Sequence, residues 1–523
     1  MTSTVSSTLA YRDSDIRAVL GALDLPCFVV RTDDGIAATN TRPNTRPDAE
    51  VLAAVPPLPP ERLGSPDFLR HHGVRFAYMA GSMANGIASE EHVAALAGAG
   101  YLGSFGAAGL LPDRIEQALV RLGEEIPGLP FACNLIHSPH EVRLEREAVD
   151  LYLRHGVRCV EASAFMDLTP PIVRYRVAGL SRTADGRTAV ANRVIAKVSR
   201  EEVAERFMRP PPAAMVGELV DSGQVTAEQA ELARTVPLAD DVTIEADSGG
   251  HTDRRPLPGL FPVMLRLRDA LSREVGRPIR LGAAGGIGTP DAAWAAFAMG
   301  ADYVVTGSVN QACVEAGTSD TAKRMLATAG VADCEMAPAA DMFELGVTLQ
   351  VLRRGAMFPM RATWLYELYR THDGIEDLTP RDRARLEKQI LRRPVDDVWD
   401  ECAEYFRRRD PEQLERAEGS PKRRMALIFR WYLGMSSRWA KIGDEDRATD
   451  YQIWCGPAMG SFNDWTAGTH LAEPANRRVA DAAFHIMRGA AYAGRVAQLR
   501  LAGVRLPAAC AGYRPEPAAA GEV

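Results

Sequence analysis

The stretch IRLGAAGGIGTPDAAWAAFAMGADYVVTGS, residues 279–308, decides the fold. It opens on a short apolar run that ends in glycines. Thr289-Pro290-Asp291 then announces a helix: a hydroxyl that can cap, a proline whose missing N–H costs nothing in the first turn, and an acid at the positive end of the helix dipole. A second apolar run, Tyr303-Val304-Val305, closes the stretch and ends in Thr306-Gly307-Ser308. Two apolar runs whose starts lie 24 residues apart with a helical pattern between them read as strand, crossover helix and parallel strand.

The same unit recurs upstream. Further runs start at Phe76 (FAYMAGSM), Gly100 (GYLGSFG), Pro130 (PFACNLI), Cys159 (CVEASAF), Arg193 (RVIAKVS) and Val242 (VTIEADS). With the two above they make eight, at start-to-start gaps of 24, 30, 29, 34, 49, 37 and 24 residues. A βα unit takes roughly 25–35 residues, so most gaps hold one helix and little else. The runs are short, apolar on consecutive positions and bounded by Gly or Pro, as strands buried on both faces are. Helix starts are marked at Ser89, at Pro112-Asp113 and at Ser138-Pro139. Eight such units with right-handed crossovers predict an α/β chain closed into a (β/α)8 TIM barrel; an open doubly wound sheet is the alternative.

The 49-residue gap carries RPPPAAMVGELVDSGQVTAEQAELARTVP, read as a small helical insertion over about 208–237. After Cys313 the βα rhythm stops. Segments such as DMFELGVTLQVLRRG, RATWLYELYR and RDRARLEKQILRR predict a second, mostly α-helical domain. The expected division is an N-terminal segment and linker at 1–70, the barrel with its insertion at 71–320, a mostly helical substrate or carrier domain at 321–470, and at 471–523 a helix returning to the barrel followed by a loose tail. Within the first part, DIRAVLGALDLPCFVV suggests a helix and a strand, and the Pro-rich residues 31–70 a connector.

Composition narrows the function classes. The chain has 523 residues, 46% hydrophobic and 25% charged, with 61 basic against 68 acidic residues and a net charge of -7. That fits a soluble globular protein and argues against an electrostatic grip on nucleic acid. No apolar run reaches the ~18 residues of a membrane span, and the start, MTSTVSSTLAYRDSD, has no apolar leader core. Eight Cys without a CxxC pair give neither a disulfide framework nor a zinc ribbon. A cytoplasmic protein is expected.

Barrel sites lie at the C-terminal strand ends, with phosphate groups on the loops after strands seven and eight. Those loops are Ala284-Gly285-Gly286-Ile287-Gly288 and Thr306-Gly307-Ser308. Glycine lets a backbone N–H approach an anion closely and serine adds a donor, so the pair can enclose a phosphate; tight turns alone are the plain alternative. The sixth run ends in Asp247-Ser248-Gly249-Gly250-His251, which puts an imidazole, able to move a proton near neutral pH, at the mouth. Glu245, Asp247 and His251 also resemble metal ligands, but no second His or Cys is near, and no metal is expected. Small residues after the first run, Ala80 and Gly81, let a flat ring lie against the backbone. Asn134 could meet a heterocycle edge, and Lys197 either stabilises negative charge on a reduced ring or pairs with Glu161 or Glu245. His137 and His140 straddle a turn and a helix cap, which explains their spacing better than a metal does. Gly98-Ala99-Gly100-Tyr101-Leu102-Gly103 matches GxGxxG but lies between a helix and a strand, the wrong context for a dinucleotide.

FAYMAGSMANGIAS, IEADSGGH, AAGGIG and VVTGS, in this order, resemble the flavin barrels of nitronate monooxygenases (2-nitropropane dioxygenases) and flavin-dependent enoyl-ACP reductases. YLGMSSRWA (432–440) and YQIWCGPAMGSFNDW (451–465) resemble the PfaD-like trans-acting enoyl reductases of polyunsaturated fatty acid and polyketide synthases. The resemblance implies non-covalent FMN, with Ala80, Gly81 and Asn134 at the ring, Gly249, Gly250, Ala284, Gly285, Gly286, Gly307 and Ser308 around the phosphate, and His251 as the catalytic histidine. Lys197 is placed beside the cofactor and the catalysis by the reading of its strand, not by the resemblance. Where relatives carry an acidic residue before the GGH turn, this chain has Asp247-Ser248.

The implied activity is an enoyl-[acyl-carrier-protein] reductase that takes electrons from NADPH (or NADH) through FMN and reduces the 2,3 double bond of carrier-bound enoyl thioesters, with His251 polarising the carbonyl or supplying the proton. The implied partner is an acyl carrier protein, for which the basic clusters Arg407–Arg409 and Lys422–Arg424 offer a landing surface, an ordinary solvated face being the alternative reading of them, and a homodimer is one option for the assembly. A nitronate monooxygenase using FMN, molecular oxygen and a nitroalkane is the alternative, and a non-catalytic synthase scaffold the second. A barrel for IMP-like nucleotides would need a Cys on the loop after strand six, and the sequence has none there.

Overall fold

The computed structural model describes residues 9–42, 49–137 and 142–517. Eight parallel strands close a barrel: β1 (Tyr78–Ala80), β2 (Leu102–Phe105), β3 (Ala132–Ile136), β4 (Cys159–Ser163), β5 (Arg193–Val198), β6 (Asp241–Glu245), β7 (Arg280–Ala284) and β8 (Tyr303–Thr306), with β8 pairing back onto β1. All eight runs read from the sequence are strands. Nearly every strand residue is buried, because helices cover the outside and side chains fill the inside. Two interior phenols show how polar tips are accommodated: Tyr78 Oη meets Thr306 Oγ1 at 2.6 Å, and Tyr303 Oη meets Thr243 Oγ1 at 2.7 Å, each across to another strand. The lower end is closed by a buried ion cluster in which Asp241 takes two bonds from Arg280 (2.5 and 2.9 Å) and one contact from His72 (2.8 Å).

The marked helix starts behave as their chemistry dictates. Ser89 accepts from the His92 N–H and Thr289 from the Ala292 N–H, and Pro112 sits in the first turn of its helix. The start at Ser138-Pro139 and the residue His140 lie outside the described residues. The insertion forms two helices, Ala213–Asp221 and Ala227–Ala233, the second opened by a reciprocal Thr226–Gln229 capping box. The GxGxxG match indeed spans the end of the helix Glu90–Gly98 and the start of β2.

Three expectations fail. DMFELGVTLQVLRRG is not helical: after a single 3-10 turn at Phe343–Leu345 and the left-handed Gly346 (φ +70), it becomes the strand β10 (Thr348–Leu352), paired antiparallel with β9 (Cys334–Pro338). The other edge of β10 pairs with Gly250–His251, so the turn after β6 is the third strand of this sheet. Residues 31–70 are not a bare connector, since Gly35–Thr39 and Glu50–Val55 flank Cys27–Thr32 in an antiparallel sheet and Pro66–His72 forms a helix. The tail is packed as far as it is described, with Cys510 fully buried and Tyr492 Oη donating to its carbonyl at 2.7 Å.

Beyond β10 the chain is helical at Phe358–Thr371, Pro380–Arg385, Val395–Arg409, Glu412–Ala417 and Pro421–Ile442. It then returns to the barrel through 451–457, the helix Ala458–Thr466 and the long helix Val479–Leu501. That last helix packs on Pro290–Ala298, the helix between β7 and β8. Its Gly489 and Gly494 permit the contact: a Cβ there would fall 2.4 Å from Pro290 and 2.8 Å from Trp294. Buried Arg495 on the same helix donates to the carbonyls of Leu20, Ala22, Leu23 and Leu25, tying the N-terminal segment down. No described helix is long and apolar enough to cross a membrane.

Candidate active site

The loops after β7 and β8 are neighbours by construction. Ala284 pairs with Val305, and Gly286 and Gly307 each stand two residues beyond. Gly286 has φ +72, which a side chain would strain, and no atom lies within 4 Å of where a Cβ would sit on Gly286, Gly307 or Gly250. Among the described residues, no protein acceptor takes the N–H of Gly286, Gly307 or Ser308. Amides without a protein acceptor on two adjacent turns are what an anion requires, so these residues fit a phosphate. Gly249 and Gly285 are glycines for another reason: a Cβ on Gly249 would fall 2.8 Å from the Cys455 nitrogen, and one on Gly285 would fall 2.6 Å from the Ala246 carbonyl carbon.

The Cys455 contact identifies a part of the site that sequence reasoning did not place. Residues 451–457 run across the glycine turns. Cys455 N–H donates to Gln350 O (3.3 Å), Gly456 N–H donates to Ser308 Oγ (3.0 Å), and a Cβ on Gly288 would strike the Ala458 carbonyl at 2.2 Å. The late stretch is thus a roof over the loops after β6, β7 and β8.

His251 lies across from Leu349 of β10, and Nε2 meets Asp341 Oδ1 at 3.1 Å. Burial works against a charged imidazole here, but the bond and charge of Asp341, helped by Glu245, outweigh it and hold the pKa above the ordinary histidine value. Asp341 is held below the usual carboxylate range, because His251 overcomes the cost of burying it. Gln350 anchors the same turn, with Nε2 donating at 2.8 Å both to Asp247 Oδ1 and to Ser248 O. Asp341 and Gln350 were missed because their segment was read as helical. The alternation in TLQVL after Gly346 was the available signal.

Lys197 stands between two glutamates, with Nζ 3.3 Å from Glu245 Oε1 and 3.9 Å from Glu161 Oε1. The strand register explains this. Lys197 pairs with Thr243, and Glu245 follows two residues on, pointing the same way. Burial disfavours the ammonium, but Glu245 and Glu161 outweigh it and raise its pKa. Glu161, 1% exposed, also accepts the Ser82 N–H at 2.8 Å, just past Ala80 and Gly81. Asn134 is buried, and its amide nitrogen donates to Glu161 O (3.2 Å) and Ser163 Oγ (2.9 Å), while its side-chain oxygen has no hydrogen-bond partner among the described residues. Of the anticipated carrier-landing cations, Lys422 donates to the Tyr369 and His372 carbonyls, Arg423 to Gln413, Arg424 to Asp396, and Arg407 to Glu404. The side chains of Arg408 and Arg409 lie outside the described set. Glu245 and Asp247 do not form a metal cluster with His251 among the described residues; Lys197 and Gln350 take them.

Three family models match: the nitronate monooxygenase family over 68–356, the fatty acid synthase subunit PfaD N-terminal domain over 5–57, and the inserted helical domain of [acyl-carrier-protein] S-malonyltransferase over 372–451. The chain is 49% identical over 447 residues to a subunit of the polyunsaturated fatty acid synthase of Thraustochytrium sp., covering 84% of this chain and 30% of that protein. It is 46% identical over 422 residues to polyketide biosynthesis protein PksE of Bacillus subtilis, covering 80% of this chain and 55% of that one. The chain therefore spans little more than half, or much less, of the length of these curated relatives. The enoyl reductase domain of MlnA, from the macrolactin biosynthesis cluster of Bacillus amyloliquefaciens, superposes with a TM-score of 0.81 at 38% identity, over 84% of this chain and 99% of that domain. On a family match over more than half of its length and a solved domain matched almost end to end, the chain belongs to the nitronate monooxygenase family of barrel oxidoreductases, in its PfaD-like branch.

Proposed function

We propose that this protein is an FMN-dependent, NAD(P)H-consuming enoyl-[acyl-carrier-protein] reductase of polyketide or polyunsaturated fatty acid biosynthesis. One observation carries the reading: the amides of Gly286, Gly307 and Ser308, on the adjacent loops after β7 and β8, have no protein acceptor among the described residues, and His251 follows β6, the neighbour of β7. Those amides would hold the FMN phosphate, with Gly249, Gly250, Ala284 and Gly285 shaping the turns around it. Ala80 and Gly81 would line the ring, and the Asn134 oxygen and Lys197 would hold its polar edge. When bound, FMN supplies hydride transfer between nicotinamide and substrate.

The protein's own groups do the rest. Asp341 holds His251 by Nε2, which leaves Nδ1 to hydrogen-bond the thioester carbonyl or to deliver the proton for the α-carbon. Lys197 offsets the charges of buried Glu161 and half-buried Glu245, and would favour negative charge on a ring held beside it. The roof of 451–457 keeps water from the rim. The carrier protein lands on the rim itself, at Arg254 and Arg255, which are exposed and held by no ion pair among the described residues.

The purified protein should be yellow and should bleach with NADPH under anaerobic conditions, with colour returning on addition of an enoyl thioester. The family match at 68–356 also favours nitronate oxidation. Reoxidation only by oxygen with a nitroalkane, and never by the thioester, would select that reading. A colourless protein that cannot be reconstituted with FMN would leave the scaffold.

A further inference from the structure

Far along the chain from the barrel mouth, one group of side chains has the make-up of a metal site. His470 stands on the 3-10 turn His470–Ala472, and Asp481 and His485 lie one turn apart on the helix Val479–Leu501. His470 Nε2 is 2.7 Å from Asp481 Oδ2, and His485 Nε2 is 3.3 Å from Asp481 Oδ1. One ligand atom from each of the three lies within 4.8 Å of the other two. The i,i+4 spacing stacks Asp481 and His485 on one helix face, and His470 comes across from the preceding turn.

The telling atom is His485 Nε2. The residue is 1% exposed, and this nitrogen is buried without a hydrogen-bond partner although it faces the carboxylate. A buried ring nitrogen is seldom left so. The other nitrogen, Nδ1, is 2.8 Å from Tyr513 Oη. An Nδ1–H donating to that hydroxyl leaves the lone pair on Nε2, the arrangement in which imidazoles bind metals. We propose that His470, Asp481 and His485 bind one zinc ion, with water completing a tetrahedron, and that the ion fastens the C-terminal helix, and through Tyr513 the tail, to the turn at 470. Two imidazoles and one carboxylate with an exchangeable fourth position suit zinc. A carboxylate merely shared between two imidazole N–H groups would give His485 Nε2 a hydrogen bond to Asp481, and at 3.3 Å from Oδ1 that nitrogen makes none. The similar group His71–His72–Asp241 differs in kind, because Arg280 already occupies both oxygens of Asp241.

The test uses the full chain without a metal-binding tag, incubated with ZnCl2 and freed of excess by gel filtration. Elemental analysis should find about one zinc per chain. Chelation by EDTA should lower the melting midpoint, and ZnCl2 should restore it. His470→Ala, on a partly exposed turn, and Asp481→Asn, which keeps the shape of the side chain, should retain no zinc and melt at one temperature with or without EDTA. Both should keep reductase turnover, since none of the three residues belongs to the rim. A wild-type chain that retains no zinc and melts identically with EDTA and with ZnCl2 would overturn the site, as would variants that bind zinc as the wild type does.

Discussion

At the scale of single residues, the site depends on which atoms are already committed. His251 gives Nε2 to Asp341, so its protonation is set by that carboxylate. His251→Ala should retain flavin and lose turnover by about 10²–10⁴-fold, the range for a missing general acid; unchanged turnover would remove it from the mechanism. Asp341→Asn tests the partnership by pH. A histidine whose pKa is raised in the folded protein keeps its proton, and the stability this brings, below the ordinary value of about 6.5, and loses both as pH rises through the raised value. Without Asp341, burial dominates and lowers that pKa. The basic limb of the kcat/KM profile should therefore move to lower pH in Asp341→Asn, with turnover at acid pH largely kept. An unmoved limb would assign the proton to another group. The glycines divide in the same way. Gly307 is not in the left-handed region and has open space where a Cβ would stand. Gly307→Ala should fold normally yet lose flavin affinity by roughly tenfold or more, about the worth of one charge-assisted hydrogen bond. An equilibrium titration with FMN, beside a melt of the apoprotein, separates the two effects.

At the scale of elements, the eight barrel strands were legible and the hairpin β9–β10 was not, for a physical reason. A parallel strand buried on both faces is an unbroken apolar run, readable from its own residues. β10 earns its strand conformation from partners far away in the chain, Cys334–Pro338 on one edge and Gly250–His251 on the other, and its local composition reads equally well as helix. The same limit hid half of the site. Ser308 and the glycines were visible as strand-end chemistry, whereas Asp341, Gln350 and the Cys455–Gly456 crossing act on the site through contacts 90 or more residues away in sequence. Lys197 is intermediate, since its strand was visible and both glutamates were considered as partners, but only the register shows that it meets the two together. Gln350 is where this element carries most weight, because it donates to a side chain and a carbonyl of the turn that presents His251. Gln350→Leu keeps the volume and removes both donors. Stranding these acceptors should cost about 1–3 kcal/mol in a denaturant melt and lower turnover with it. A stable variant with full activity would show that backbone pairing to β10 alone positions the histidine.

At the scale of the whole molecule, the additions to the barrel converge on its mouth. The sheet of β9 and β10 carries the partners of His251, the segment after the helical region roofs the glycine turns, and the helix Val479–Leu501 braces the unit between β7 and β8 from outside. A substrate tethered to a carrier protein must deliver its acyl group to that mouth, so the landing surface has to lie beside it. The cluster Lys422–Arg424 is a poor candidate, since its cations are spent on carbonyls and acids of their own neighbourhood. Arg254 and Arg255 follow His251 by three and four residues and keep their charge facing solvent. Charges at the rim of an interface act mainly on encounter and are screened by salt. Replacing both arginines with glutamate should therefore raise KM for an enoyl group on the carrier, most strongly at low ionic strength, with kcat little changed. The same variant should turn over a short soluble enoyl thioester as the wild type does, because neither arginine touches the reacting atoms. Equal losses on both substrates would mean that the loop, and not the carrier, had been disturbed; no loss on either would place the carrier elsewhere.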